Sequence, residues 1–224
     1  MSSLLLKFKK SQHVAKLSPG GFTLIEVLIT IAMISIFIPA MYSVYMVMSR
    51  SMTTQSVVAD VQQSVRFSLD FMVQDIRMAG FDPYGSVGLG TAEAGIEEAT
   101  ATKIRFTADQ NMDGVINDAN QERVTYLLDA PNNQLDLILY EGAANQNTQA
   151  LIENVRAFDE NGNSISPLTF RYFDKDDNPI ATPVAAADLP NIKEIDISLT
   201  AEAPAGQKGM ISRTFNVRIR GRNL

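Results

Sequence analysis

The chain predicts an α+β fold in which one long N-terminal helix packs on an antiparallel β-sheet domain. Three features predict it. The first is an apolar run from Phe22 to Met48, longer than the roughly 20 residues that cross a bilayer as a helix. The second is its continuation to Gly80 with apolar residues every three or four positions. The third is a series of short β-branched and aromatic runs, separated by turn residues, that fills the remainder. At 224 residues and 46% hydrophobic content, the chain holds enough for a leader, one membrane helix and one globular core.

Residues 1–21 carry Lys7, Lys9, Lys10 and Lys16 and no acid, whereas Arg50 follows the apolar run. The positive-inside rule then puts the N-terminal side in the cytoplasm and the globular part outside the membrane. Between the lysines and the span lies Ser18-Pro19-Gly20-Gly21, where Pro and Gly break a helix and expose an extended segment. An ordinary signal peptide is cut after its apolar region and loses it. A cut at Gly21–Phe22 would instead remove the basic leader and keep the membrane helix. The only charge inside the span is Glu26. A carboxylate in lipid costs roughly 3 kcal/mol unless it finds a partner, so Glu26 needs a positive charge within the membrane.

Gly21-Phe22-Thr23-Leu24-Ile25-Glu26 resembles the signature of type IV prepilins: a Gly before the cut, an aromatic first mature residue, and a Glu four residues later. The resemblance implies cleavage at Gly21–Phe22 by prepilin peptidase and N-methylation of Phe22 by the same enzyme. It also implies assembly through Glu26, paired with the N-terminal amine of a neighbouring subunit. A buried charge of that kind specifies axial register. Thr23 either orients the amine by a hydrogen bond or simply caps the helix. The implied partners are other major and minor pilins, reached through the N-terminal helix, and the peptidase. The implied location is the bacterial inner membrane, as a single-pass anchor with a cytoplasmic N-terminus before cleavage, then the periplasm and the pilus fibre.

Beyond the span, Val58, Val61, Val65, Leu69, Met72 and Ile76 recur at helical spacing, with Asp60, Gln62, Gln63, Arg66 and Gln74 on other faces. Gly80 is the expected stop, and Pro39 is expected to kink or locally open the helix. The segment Asp75-Ile76-Arg77-Met78-Ala79-Gly80-Phe81 resembles a motif at the end of the long helix in minor pilins of the PilW type. The same Asp and Arg also suit ordinary helix-end charges. The domain division that follows is leader 1–21, membrane and assembly helix 22–48, amphipathic extension 49–80, and β-rich globular domain 81–224.

Phe81 to Thr100 is rich in Gly and reads as a loop over the helix. Strands are expected at Lys103–Thr107, Arg123–Leu128, Leu135–Tyr140, Ile152–Phe158, Leu168–Phe173, Ile192–Thr200 and Ile211–Arg220. The clearest alternation sets Ile195, Ile197 and Leu199 against Glu194, Asp196 and Ser198, as a strand with one buried face requires. The acidic clusters starting at Asp159 and Asp174 read as turns between strands.

The chain has no cysteine, which excludes disulfides, thiol nucleophiles and Cys-ligated metals. Its single histidine, His13, lies in the leader, so a chain starting at Phe22 also lacks His-based triads and most transition-metal sites. An enzyme is not expected. The net charge of −6 becomes about −10 once the leader lysines are lost, a surface that repels phosphate backbones, so no nucleic-acid partner is expected. The methionines of the helix suit adaptable packing.

Asp109-Gln110-Asn111-Met112-Asp113-Gly114 matches the opening of an EF-hand-type calcium loop, in which oxygens alternate before a turn-forming Gly. The twelfth position is Asn120 where that loop has a bidentate Glu, with Asn117, Asp118 and Glu122 as further oxygens nearby. Two readings stay open: a calcium site, or a solvated Asx-rich turn.

The function these features imply is that of a minor type IV pilin, a structural subunit that initiates, primes or caps pilus assembly. Two alternatives share the signature: a minor pseudopilin of a type II secretion system, of the J type, and a tip adhesin.

Overall fold

The computed structural model describes residues 20–85, 94–117, 120–158, 162–204 and 210–224. Helix α1 spans Leu24–Met78 and runs through Pro39 without interruption, so the proline costs it a hydrogen bond without ending it. The chain divides into two compact units inside this helix, between Ser49 and Arg50.

In the unit up to Ser49 the helix is apolar on all sides. Its most apolar stretch has a mean hydropathy of 2.4, with none of that stretch buried in the chain itself. Phe22, Ile36 and Met41 are 85%, 73% and 71% exposed. A helix that is hydrophobic all round needs an apolar surrounding, and this one is long and apolar enough to cross a membrane.

In the unit from Arg50 onward, the rest of α1 turns amphipathic and folds with the strands. Val65, Leu69, Met72 and Ile76 are buried, and Val58 and Val61 are half-buried, as their spacing predicts. Five antiparallel strands form one sheet in chain order: β1 (Gly95–Ala99), β2 (Lys103–Thr107), β3 (Arg123–Asp129), β4 (Gln134–Leu139) and β5 (Asn147–Glu153). A short ribbon follows, β6 (Ala157–Phe158) with β7 (Ser164–Ile165). The last sheet contains β8 (Leu168–Phe173), β9 (Pro179–Ile180), β10 (Glu194–Pro204) and β11 (Met210–Arg220), in the order β11-β10-β8-β9.

Inward-facing residues of both larger sheets join the helix in one core. Phe106 stacks on Tyr126 and Phe170 on Tyr172, while Ile195, Ile197 and Leu199 face Tyr172, Phe170 and Leu168 across the β10–β8 ladder. Each such side chain, fully buried, contributes about 1.5–3 kcal/mol.

Four details differ from the sequence reading. The β-rich part forms two main sheets where one was expected. The stretch expected as a loop contains β1, whose signal is hidden by a bulge: its register shifts between Ile96 and Glu98. That shift breaks the two-residue alternation and lets Glu97 and Glu98 both meet cations of the sheet. The strand expected over Ile152–Phe158 divides at Asn154, which has φ 59, and β5 begins five residues earlier, in polar sequence at an exposed sheet edge. Ile192 belongs to the end of a 3-10 turn, Leu189–Asn191, so β10 starts at Glu194. The Asp174 cluster is a turn as expected: β8 and β9 pair across it, and the Asp174 carboxylate accepts from the amides of Asp176 and Asn178. Of the Asp159 cluster, residues 159–161 lie outside the described residues.

Candidate processing and assembly site

Gly20, Gly21 and Phe22 precede the helix without regular structure and are fully open, with nothing within 4 Å of a Cβ placed on either glycine. The leader up to residue 19 lies outside the described residues.

Thr23 caps α1. Its Oγ1 accepts from the Glu26 amide at 3.3 Å, and the Glu26 carboxylate reaches back to the Thr23 amide at 3.5 Å. This reciprocal arrangement is a capping box. Of the two roles open to Thr23, the geometry contains the cap. The Glu26 side chain is exposed one turn from Phe22, with its weak contact to the Thr23 amide as its local partner.

At the other end, α1 stops as its sequence predicts. Gly80 has φ 76, a conformation that suits glycine after a helix. Its amide donates to Thr107 O at 3.0 Å, and the Asp109 amide donates to Phe81 O at 2.8 Å, so the helix end is joined to the end of β2. Asp75 is held from the sheet, with Tyr126 Oη donating to its Oδ2 at 2.7 Å. Sequence reasoning singled out Asp75 but gave no hint of Tyr126, whose position in a strand reads as core aromatic.

Residues 54–221, well over half of the chain, match the family described as prepilin peptidase-dependent protein B. The chain belongs to that family. Residues 18–38 match the prokaryotic N-terminal methylation motif, the segment that contains Gly21, Phe22, Thr23 and Glu26. Neither a curated protein nor a solved structure matches the chain. Membership in the prepilin peptidase-dependent protein B family, with the methylation motif and the apolar helix, makes this a pilin-like protein of the pilin and pseudopilin kind, anchored in a membrane.

This family member has a second polar constellation in the β2–β3 connection. A carboxylate oxygen from each of Asp109, Asp113 and Glu122 lies within 4.8 Å of the others. Asp109 accepts from the amides of Asp113 at 3.2 Å and Gly114 at 3.1 Å. Asn111 Oδ1 accepts from the Asp113 amide at 2.9 Å, and Asp113 Oδ1 from the Val115 amide at 2.8 Å. Gly114, at φ 77, makes the turn that brings the chain back. Asp109 and Glu122 are fully buried, whereas Asn111 and Asp113 are exposed. Glu122 Oε2 accepts from the Asn117 amide at 2.8 Å, but Glu122 Oε1 and Asn117 Oδ1 have no hydrogen-bond partner. Burial pushes the Glu122 carboxyl up and the carboxylates of Asp113 and Asp109 add to this, with backbone amides acting in the other direction. Asp118 lies outside the described residues.

A shallow cleft beside β1 is lined by Glu97, Arg105, Arg123 and Glu141. Its charges answer one another: Arg105 pairs with Glu97 and Glu141 at 3.0 and 3.2 Å, and Arg123 with Glu97 at 2.9 Å.

Proposed function

We propose that this chain is a minor type IV pilin of the PilW type, a structural subunit that initiates, primes or caps a pilus after cleavage at Gly21–Phe22. The observation that carries the reading is the single carboxylate, Glu26, exposed on the first turn of a helix whose stretch up to Ser49 is otherwise uncharged and apolar on all sides. In lipid that carboxylate lacks a cation, and docking beside the N-terminal amine of a neighbouring Phe22 supplies one. Cleavage creates the amine, so processing licenses assembly. The PilW-type assignment rests on the resemblance of the Asp75–Phe81 segment, and the family match over residues 54–221 supports the broader pilin-like assignment.

In this reading the membrane is the bacterial inner membrane, the enzyme that cuts and N-methylates at Phe22 is prepilin peptidase, and the partners are other major and minor pilins. The test is where the mature protein goes. Recovery with surface fibres sheared from cells, and loss of those fibres in a deletion strain, are the expected results. Intact fibres in the deletion strain, with exoproteins retained in the periplasm, would transfer the chain to a type II secretion pseudopilus.

A further inference from the structure

We propose that the β2–β3 connection is a calcium site, formed by the side-chain oxygens of Asp109, Asn111, Asp113 and Glu122 and completed by Asn117 Oδ1.

The observation that points to a ligand is the pair of orphaned oxygens. Glu122 is fully buried, yet Oε1 has no hydrogen-bond partner, and neither has Oδ1 of Asn117, the residue whose amide donates to Glu122 Oε2. A buried acceptor without a donor is a standing cost. It is heavier here because two further carboxylates converge on the same place, within 4.8 Å. Among the described residues, the cations of the adjoining strands β2 and β3 are paired with other acids: Lys103 and Arg105 with Glu98 and Glu141, and Arg123 with Glu97. A cation from solution answers all of these groups at once.

The donor set is made of oxygens alone, carboxylate and amide, which selects a hard divalent ion. Three carboxylates converging on one place, two of them buried, suit calcium, whose coordination is flexible, whereas magnesium demands a near-ideal octahedron and retains water.

The structure also answers the main objection from sequence, that Asn120 stands where a calcium loop has its bidentate Glu. Asn120 and Gln121 are both left-handed, at φ 54 and 62, and these two residues turn the chain so that Glu122 enters the cluster two positions late. Its backbone is fixed there, since the Glu122 carbonyl accepts from the Ala108 amide at 3.0 Å and the Gln121 amide donates to Tyr140 Oη at 2.9 Å. Asp109 in turn holds the helix end through Phe81 O, so the ion would brace the connection against the end of α1.

The experiment uses the full chain in a nonionic detergent, stripped with chelator and titrated with calcium chloride by calorimetry and by thermal melting, with magnesium chloride in parallel. The expected result is one calcium bound with a dissociation constant of about 0.1–1 mM, the range of extracellular modules. At ten times that constant the folded-to-unfolded ratio rises about elevenfold, a melting shift of roughly 3–6 °C for a chain of this size. Asp113→Ala, at an exposed position, and Glu122→Gln, which keeps the side-chain shape, should both fold and lose the shift. No response to 10 mM calcium, an equal response to magnesium, or a full response in both variants would each overturn the proposal.

Discussion

Tyr126 donates its hydroxyl proton to Asp75 Oδ2 at 2.7 Å, tying the last turns of α1 to the central strand of the five-stranded sheet across 51 residues of sequence. Tyr126 is fully buried and Asp75 half-buried. Burial and the neighbouring carboxylate both push the Tyr126 hydroxyl up, so it stays protonated and remains the donor. Tyr126→Phe keeps the ring in the core but leaves the Asp75 carboxylate without its partner. The expected loss is about 1.5–3 kcal/mol, a fall in melting temperature of roughly 3–12 °C. An unchanged melt of the full chain would mean that water replaces the hydroxyl at no cost.

The same pair gives a pH dependence. Burial raises the Asp75 carboxyl above its ordinary 3.8, with the Tyr126 hydrogen bond acting against this. The folded state therefore holds this proton more tightly than the unfolded state. The contribution is complete below the unfolded value and is lost as pH rises through the folded one. Asp75→Asn does not titrate, so its stability relative to wild type should increase from about pH 4 to pH 7. Denaturant melts of both proteins across that range would show the opposite trend if the hydrogen bond outweighed burial.

Gly80 and Gly85 separate backbone strain from collision. Both have positive φ, 76 and 72, but a Cβ on Gly80 would lie 2.7 Å from Asn223 O, whereas one on Gly85 meets nothing within 4 Å. Gly85→Ala should cost about 1 kcal/mol, the left-handed strain alone. Gly80→Ala should cost about 2–3 kcal/mol, since the C-terminal backbone must also move. Equal losses in chemical denaturation would show that the segment around Asn223 yields freely.

The helix was legible because its signals are local: spacing at Val65, Leu69, Met72 and Ile76, and a stop at Gly80. Strands β8 and β10 were legible because one face is buried, so alternation survives in the sequence. β1 was not, since a bulge places Glu97 and Glu98 against Lys103, Arg105 and Arg123, and that arrangement exists only once the sheet is formed. The start of β5 at Asn147 was missed because an exposed edge strand need not be apolar. Of the site residues, Glu26 stands out as the one charge in the apolar run and Thr23 as a hydroxyl at its start, while the assembly roles expected of them come from the resemblance to the prepilin signature. The partner of Asp75, and the approach of Glu122 to Asp109 and Asp113, depend on long-range pairing and on two left-handed residues that composition does not announce.

Cleavage is expected at Gly21–Phe22, where nothing among the described residues packs against Gly20 or Gly21. Gly21→Ala should be partly processed, and Gly21→Leu should accumulate as precursor, at least tenfold less mature than wild type. Intact-mass measurement distinguishes the forms. A mature chain beginning at any residue other than Phe22 would remove the basis for the assembly mechanism as well.

One role of Glu26 is observed and one is proposed, and two variants divide them. It closes the capping box with Thr23 at 3.5 Å, and in lipid it carries the charge that a neighbouring amine would neutralise. Glu26→Val removes both, whereas Glu26→Gln keeps a residue that can close the box and removes only the charge. Each variant makes the span more apolar, so insertion and cleavage should be unaffected. If relief of the unpaired charge drives docking, both variants lose roughly 3 kcal/mol of that drive, about a hundredfold in the docking equilibrium. The readout is the amount of mature subunit recovered with its partners after crosslinking, in a strain lacking the wild-type copy. Failure of Glu26→Val together with normal docking of Glu26→Gln would assign Glu26 to the helix cap and end the charge-pairing account.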